Sequence, residues 1–466
     1  MLERLEDVFN KYFDRIAYKT NDSSITYSEL WNSACRYADY LKRQGTSPVI
    51  IYGDKEIEMV ISIISCVLAK RAYVPLGNCT PLSRLKKIID ITESSLIISN
   101  NKFDLDINCY KINELDIFKD YEINKIENDI IYIIFTSGST GEPKGVPINE
   151  DNLLNFIDWI SSFYPLSSYE KINVLDQASF SFDLSVADFY YSLFNGHTLI
   201  AYLNNNCNNN LYNVEFDRSV DYAVVTPTFI KLCLLNEDFN PNNYSRLKCI
   251  YFCGEQLTVS LVSKLWERFP ELIIINAYGP TEATSAVSAI VIKKEMLNDK
   301  LLPVGIVGSF ATDIEIVDDE IVLKGRSVFS GYLSGIIGGY YKEDNNNCYK
   351  TGDLGYIKDN MLYCNGRKDT QIKYKGYRIE LGEIEYYINQ INGVNDSCVI
   401  AKKDNNGDVK TLKAFIDVND TNLYSDDIKN YLLETIPNYM IPKTIVFQKL
   451  PINNNGKVDR KALMDL

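Results

Sequence analysis

The stretch IIYIIFTSGSTGEPKG, residues 130–145, places a glycine-rich loop directly after a strand. Residues 130–135 are apolar and mostly β-branched, which is typical of a buried strand. The loop that follows contains small and hydroxyl residues and one cation, Lys144. Its backbone N–H groups and hydroxyls can surround phosphate oxygens, so the pattern indicates a phosphate-binding loop. The spacing is not G-x-x-x-x-G-K-S/T, which excludes the P-loop of kinases and GTPases. The alternative is a flexible surface loop.

Strands and helices alternate on both sides of this loop. Strand-like apolar runs lie at 49–52, 73–74, 96–98, 130–135, 223–225, 249–252 and 272–275, with helical stretches at 56–69 and 82–91. Uninterrupted apolar runs separated by helices are typical of parallel sheets covered on both faces. The sequence therefore predicts the α/β class, with a large multi-sheet N-terminal domain over residues 1–368.

The pattern changes after Asp369. Helices are predicted at 381–390 and 426–435, and strands at 398–401, 412–418 and 444–447. This order indicates a small α+β C-terminal domain over residues 369–466.

Composition excludes several classes of protein. The 466 residues include 48 Lys and Arg against 62 Asp and Glu, and the net charge of -14 argues against a nucleic-acid partner. The most apolar stretch, 59–68, is too short to span a bilayer, and the N-terminus is not a signal peptide, so we expect a cytoplasmic protein without membrane insertion.

Cysteine and histidine usage narrows the chemistry further. Eleven cysteines contain no C-x-x-C pair, which favours reduced core thiols over disulfides or a zinc site. The single histidine, His197, excludes His-rich metal sites, and we expect it to be a structural surface residue.

Five further motifs follow the loop along the chain. They are NAYGPTE at 276–282, YKTGD at 349–353, GRKD at 366–369, GYRIE at 376–380 and NGK at 455–457. In this order, the six motifs resemble the superfamily of acyl-CoA synthetases, peptide-synthetase adenylation domains and luciferases. The resemblance covers nearly the whole chain, and six ordered motifs are far more specific than one loop. It implies an enzyme that uses ATP and Mg²⁺ to activate a carboxylic acid as an acyl-AMP.

The resemblance also implies a role for each nucleotide-binding residue. Tyr278 would stack on adenine, Thr281 would contact the α-phosphate, and Glu282 would hold Mg²⁺, for which a carboxylate is a suitable ligand. Asp353 would accept hydrogen bonds from the ribose hydroxyls, and Arg367 would help to hold the ribose. Without the resemblance, Tyr278 would be a core aromatic residue and Asp353 a turn residue. The implied ATP-binding residues are Thr136, Ser137, Gly138, Ser139, Thr140, Gly141, Lys144, Tyr278, Thr281, Asp353 and Arg367.

Lys457 is the implied catalytic residue. Its ammonium would lie between the substrate carboxylate and the α-phosphate, although an isolated lysine in such a tail is usually a solvated surface residue. The small domain would be a mobile lid with its hinge at Asp369, and Gly376 would lie beside an incoming pantetheine arm. Because the chain ends at Leu466, soon after the lysine motif, we expect a carrier protein to act in trans.

Residues 177–185, QASFSFDLS, resemble the substrate motif of the amino-acid-activating members, in which an aspartate pairs with the substrate ammonium. A buried carboxylate without a partner would be costly, so Asp183 favours an α-amino acid over a fatty or aryl acid. The alternative is that Asp183 caps the following helix. The same alignment places Leu184, Ala187, Val224, Tyr251, Cys253, Ala277, Ser285 and Ala286 in the pocket. This lining contains no second charge, so we expect an apolar or weakly polar substrate side chain.

The most similar subgroup is the D-alanine–carrier protein ligases of the teichoic acid pathway. That subgroup usually carries methionine at the position of Ala187 and threonine at that of Ala277. Either the alignment of the lining is imperfect or the substrate is larger than alanine, and we favour the larger substrate. A D-alanine ligase and an acyl- or aryl-CoA ligase stay open as alternatives, as does a non-catalytic nucleotide-binding protein.

Overall fold

The computed structural model describes residues 1–112, 128–138, 141–203, 214–308, 312–333, 335–336, 338–374, 376–404, 409–419, 423–452 and 458–464. The chain divides into two compact units. The first comprises Met1–Asn78, Thr92–Ile134 and Gly145–Lys368. The second comprises Cys79–Ile91, Phe135–Lys144 and Asp369–Leu466. The glycine-rich loop and the segment Cys79–Ile91 thus belong to the same unit as the C-terminal part of the chain.

The secondary structure is as follows. The helices are α1 (Leu2–Lys11), α2 (Tyr27–Arg43), α3 (Ile57–Leu68), α4 (Leu82–Thr92), α5 (Glu150–Ser162), α6 (Leu184–Asn195), α7 (Pro227–Cys233), α8 (Val259–Arg268), α9 (Leu381–Ile388), α10 (Ser425–Thr435) and α11 (Arg460–Met464). The strands are β1 (Ile16–Lys19), β2 (Ser24–Thr26), β3 (Val49–Gly53), β4 (Tyr73–Gly77), β5 (Leu96–Ser99), β6 (Asn108–Tyr110), β7 (Ile130–Thr136), β8 (Lys144–Asn149), β9 (Asn173–Asp176), β10 (Thr198–Ala201), β11 (Tyr222–Val225), β12 (Cys249–Phe252), β13 (Ile273–Tyr278), β14 (Ser288–Val291), β15 (Gly305–Ile306), β16 (Thr312–Val317), β17 (Glu320–Gly325), β18 (Tyr340–Glu343), β19 (Asn346–Lys358), β20 (Met361–Arg367), β21 (Gln371–Tyr374), β22 (Tyr377–Glu380), β23 (Val394–Lys403), β24 (Val409–Val418) and β25 (Thr444–Phe447).

Two largely parallel sheets form the body of the first unit. One has the order β14-β13-β12-β11-β9-β10-β1-β2, and it is parallel from β13 to β1, with an antiparallel strand at each edge. The other has the order β6-β5-β3-β4-β7-β8, and the pairs from β6 to β7 are parallel. The prediction of parallel sheets in an α/β fold is confirmed.

Helices cover both faces of the eight-stranded sheet because its inner strands are apolar on both sides. Helix α6 packs on β9, β10 and β11. Side chains of α7 and α8 form a second core with the residues of β11 and β12 that point away from α6. Helix α3 lies beside β3, β4 and α2, and every residue from Met59 to Leu68 is buried, as expected for a core helix.

A third, antiparallel sheet completes the first unit. Its order is β15-β20-β19-β17-β16, and β18 pairs with β19. The long strands β19 and β20 carry two of the implied nucleotide-binding residues.

The second unit has the predicted α+β character. Strands β23, β24 and β25 form a sheet, and α9 and α10 share a core with it. A separate hairpin consists of β21 and β22. None of the described helices combines the length and the apolar character that crossing a membrane requires.

The histidine prediction is wrong, and the cysteine prediction stays a prediction. All ten cysteines in the described ranges are free thiols, and Cys66, Cys233 and Cys398 are buried. His197 is only 1% exposed, because it directly precedes β10 in the eight-stranded sheet and lies 5.1 Å from the ring of Tyr191. Burial lowers the pKa of His197 to about 4, so its ring is neutral at physiological pH.

Candidate active site

The residues aligned with a substrate pocket lie on one face of the eight-stranded sheet. Side chains alternate between the faces of a strand, and the register pairs Val224 with Tyr251 and Tyr251 with Ile275. Ala277 lies two residues after Ile275 in β13 and so shares that face, and Cys253, which directly follows β12, belongs to the same core. The core on this face also contains Leu184, Ala187 and Ala286. Ser285 is buried in the turn after β13.

Asp183 immediately precedes α6, the helix that covers this face. It occupies the N-cap position, but its side chain makes no capping hydrogen bond to the helix. The capping alternative therefore does not explain this aspartate. Only 6% of Asp183 is exposed, and burial together with the charge of Asp183 raises the pKa of Tyr132 well above its ordinary value. The carboxylate of Asp183 is therefore buried at the start of the helix that covers this face.

Asp353 is held between a phenol and a guanidinium. Tyr278 Oη donates a hydrogen bond of 2.7 Å to Asp353 Oδ2, and Arg367 forms an ion pair with Oδ1. In the register of β19 and β20, Asp353 and Arg367 lie directly opposite each other. Burial, followed by the charge of Asp353, raises the pKa of Tyr278 well above its ordinary value.

The position of Asp353 excludes one of the alternatives. Asp353 lies within strand β19, so the prediction of a turn residue does not apply. Tyr278 is buried, as a core aromatic residue would be, yet its hydroxyl is bonded to Asp353. A carboxylate held in one orientation by two donors is suited to accept hydrogen bonds from a diol.

Thr281 and Glu282 are presented by a tight turn after β13. A Cβ atom on Gly279 would lie 2.5 Å from Cα of Ala286, so only glycine fits there. Thr284 and Ser285 in the same turn have φ of 61° and 68°, a conformation that side chains rarely adopt. Thr281 and Glu282 are both buried, and Tyr332 Oη donates a hydrogen bond of 2.6 Å to Glu282 Oε1.

The carboxylate of Glu282 fits a metal site that the protein shares with substrate phosphates. Across the described ranges, no group of three or more His, Cys, Asp or Glu residues could hold a metal ion. Mg²⁺ is commonly held by one or two carboxylates together with substrate phosphates. Glu282 is a suitable protein ligand for such an arrangement.

The glycine-rich loop is described with the second unit. Thr136 ends β7 and Lys144 begins β8, and a Cβ atom on Gly138 would lie 2.1 Å from the carbonyl oxygen of Glu142. Ser139 and Thr140 lie outside the described residues, as does Lys457. Gly376 lies between β21 and β22 with φ of 85°, and Asp369 Oδ1 accepts a hydrogen bond of 3.1 Å from the backbone N–H of Gln371.

Two supporting residues were missed by the sequence analysis. Thr351 lies two residues before Asp353 in the same motif, and its Oγ1 accepts a hydrogen bond of 3.0 Å from the Asp353 N–H. The hydroxyl of Thr351 within this motif could therefore have indicated a residue that supports Asp353. Tyr332, which bonds Glu282, lies in no recognised motif, and nothing in the sequence distinguishes it from the other tyrosines.

The chain matches two described families. Residues 5–333 match the family AMP-binding enzyme, and residues 383–457 match the AMP-binding enzyme C-terminal domain. A protein named D-alanine--D-alanyl carrier protein ligase from Bacillus licheniformis is 34% identical over 500 residues, covering 100% of this chain and 99% of the relative. A protein of the same name from Listeria welshimeri is 35% identical over 504 residues, covering 99% and 98%.

Solved structures of the same fold are more distant in sequence. The Vibrio cholerae adenylation domain AlmE, in complex with glycyl-adenosine-5'-phosphate, has a TM-score of 0.84 at 21% identity, covering 100% of this chain and 97% of that one. The o-succinylbenzoate CoA synthetase MenE of Bacillus subtilis has a TM-score of 0.84 at 20% identity, covering 99% and 98%. With the family match over most of its length and full-length relatives above 30% identity, the chain belongs to the AMP-binding enzyme family.

Proposed function

We propose that this chain activates an amino acid with ATP and transfers it to the phosphopantetheine thiol of a separate carrier protein. The observation that carries the proposal is the Asp353 carboxylate, held by Tyr278 and Arg367, in the same unit as the buried Asp183. One carboxylate is suited to a ribose and the other to an ammonium. Relatives named D-alanine--D-alanyl carrier protein ligase along the full length support both the reaction and the carrier partner.

In the first step, an oxygen of the substrate carboxylate attacks the α-phosphorus of ATP. A new bond forms between that oxygen and phosphorus, the bond to the bridging oxygen breaks, and pyrophosphate leaves. Tyr278 would stack on adenine, while Asp353 and Arg367 hold the ribose. Thr281 and the glycine-rich loop, including Lys144, would neutralise and orient the phosphate oxygens.

Two charges would act where the phosphate reacts. When bound beside Glu282, Mg²⁺ supplies positive charge to the phosphate oxygens. The ammonium of Lys457 would stabilise the charge that develops between the carboxylate and the α-phosphate. In the second step, the carrier thiolate attacks the acyl carbonyl and AMP leaves.

We assign these tasks to two domains. Residues 1–368 form the core that binds ATP and substrate, and residues 369–466 form the lid that carries Lys457. Asp369 would be the hinge and Gly376 would lie along the pantetheine channel. The reaction consumes ATP, so we propose that the chain works in the cytoplasm, where ATP is made.

The first amino acid to test is D-alanine, given the names of the relatives. Ala187 and Ala277 leave more room than methionine and threonine would, so we also expect a somewhat larger side chain to be accepted. An acyl- or aryl-CoA ligase is the second candidate function, and the buried Asp183 argues against it.

The test is ATP–pyrophosphate exchange over a panel of D- and L-amino acids and carboxylic acids without an amine. We expect exchange with one or a few amino acids. Exchange only with acids lacking an amine would contradict the role of Asp183, and exchange with D-alanine alone would contradict the larger substrate.

A Lys457→Ala variant tests the catalytic lysine. Its adenylation rate should fall roughly 100-fold or more, because a charge aimed at the transition state is lost. Near-normal pyrophosphate exchange in this variant would refute the assignment.

A further inference from the structure

A buried ion pair joins α4 to α9 within the second unit. Arg84 Nη1 lies 2.6 Å from Glu383 Oε1, and the side chains are 7% and 0% exposed. A second contact joins α4 to the end of α10, where Ser83 Oγ donates a hydrogen bond of 2.6 Å to the carbonyl of Glu434. Removing one partner of a buried pair leaves an uncompensated charge, so substitutions at Arg84 or Glu383 should disturb this contact.

The glycine-rich loop is bonded to the same part of the unit. Ser137 Oγ donates a hydrogen bond of 3.0 Å to the carbonyl of Arg378 and accepts one of 3.0 Å from the N–H of Glu380. Tyr387 Oη donates a hydrogen bond of 3.0 Å to the carbonyl of Gly141. All three contacts attach the loop to β22 and α9.

A close steric contact and an ion pair also attach Gly141 and Glu142 to the neighbouring helices. Gly141 has φ of 77°, and a Cβ atom there would lie 2.1 Å from the ring of Tyr386. Lys87 on α4 forms an ion pair of 2.7 Å with Glu142 in the same loop. Gly141 and Glu142 of the loop therefore contact α9 and α4, the two helices that the Arg84–Glu383 pair joins.

These contacts conflict with phosphate binding. A serine hydroxyl has one hydrogen to donate, and that of Ser137 is used by the carbonyl of Arg378. It cannot donate to a phosphate oxygen at the same time. ATP can use this hydroxyl only if the loop releases β22.

We propose that the Arg84–Glu383 ion pair is a latch that holds the glycine-rich loop on β22 and α9 and thereby competes with ATP. The proposal rests on the proposed function of this loop in binding phosphate. Arg84 and Glu383 are positioning residues, because they act on ATP through Ser137 and Gly141. The apparent affinity for ATP is lower when only a small fraction of the protein has the loop released and able to bind phosphate. Weakening the latch enlarges this fraction and so tightens ATP binding.

The experiment measures the dissociation constant of Mg·ATP by titration calorimetry on the full chain. We expect Arg84→Met and Glu383→Gln to bind ATP about tenfold more tightly than the parent, the gain expected if the latched state outweighs the released state by that factor. The reversed pair, Arg84→Glu with Glu383→Arg, should return the affinity towards that of the parent. Lys324→Met, which breaks an exposed ion pair with Glu343, is the matched control and should leave ATP binding unchanged.

A gain in affinity separates the latch from structural damage, which weakens binding. If Arg84→Met does not fold, Tyr387→Phe removes one loop contact with less disturbance, and we expect about threefold tighter binding from it. Unchanged or weaker ATP binding in the folded variants would overturn the latch. A parent chain that binds no ATP would instead contradict the proposed function.

Discussion

The buried carboxyl of Asp188 provides the sharpest test of the core beneath the candidate pocket. Asp188 lies on α6, is fully buried, and neither carboxylate oxygen has a hydrogen-bond partner of acceptable geometry within the described residues. Nearby, Lys55 forms a buried ion pair with Asp176, and Tyr18 Oη donates a hydrogen bond of 3.0 Å to Asp176 Oδ2. The ammonium of Lys55 is therefore already paired with Asp176. Burial, followed by the charge of Asp176, raises the pKa of Asp188 well above its ordinary value.

The expected effect follows from proton linkage. An acid whose pKa is raised on folding keeps its proton in the folded chain at a pH where the unfolded chain has lost it. The stability of the folded chain therefore falls as the pH rises above about 3.9, the ordinary pKa of aspartate. The slope is about 1.4 kcal/mol per pH unit up to the raised pKa of the folded chain. Asp188→Asn removes this titration. Between pH 5 and pH 7 the variant should therefore gain stability relative to the parent chain, by at most this slope.

The assay is urea unfolding of both proteins at pH 5, 6 and 7, followed by fluorescence. At each pH, the unfolding free energy of the parent chain is subtracted from that of the variant. The test is whether this difference changes with pH, because a constant difference reports only how well the amide packs. Asp313→Asn, at an exposed position on β16, is the control and should show no such change. If Asp188→Asn and the parent chain follow parallel pH profiles, the carboxyl is not protonated in the folded state and the reasoning fails.

Three further predictions concern the candidate site and the single histidine. Asp183→Asn should lower kcat/KM for amino-acid-dependent exchange by roughly 100-fold or more while ATP affinity stays the same, because only the pairing with the ammonium is lost; a loss of ATP affinity of similar size would argue against this role. Asp353→Ala should weaken ATP binding by about tenfold or more through the loss of charge-assisted hydrogen bonds, as measured by calorimetry, and unchanged affinity would exclude the ribose contact. The NMR signals of the His197 ring should not shift between pH 5.5 and pH 8, because burial keeps its pKa near 4; a midpoint near 6.5 would contradict its burial.

Each strand and helix that the local patterns predicted has a counterpart in the structure, whereas the antiparallel sheet of β15 to β20 was not predicted. The strand predicted at 444–447 coincides with β25, and the helix predicted at 426–435 differs from α10 by one residue at its start. Apolar runs with turn residues at their ends determine such elements because burial is periodic along a single strand or helix. The family was also readable from the sequence, since short motifs in a set order survive where the residues between them change.

Partners across the chain were decided only by the tertiary structure. Tyr278 and Asp353 are 75 residues apart on strands of two different sheets, β13 and β19, and their hydrogen bond depends on how these sheets pack in the first unit. The burial of His197 depends on β10 lying between β9 and β1, an order that does not follow the chain. The grouping of the glycine-rich loop with α4 and α9 likewise has no sequence signal. Periodicity reports which side of an element is buried, whereas the sheet order and packing determine what it is buried against.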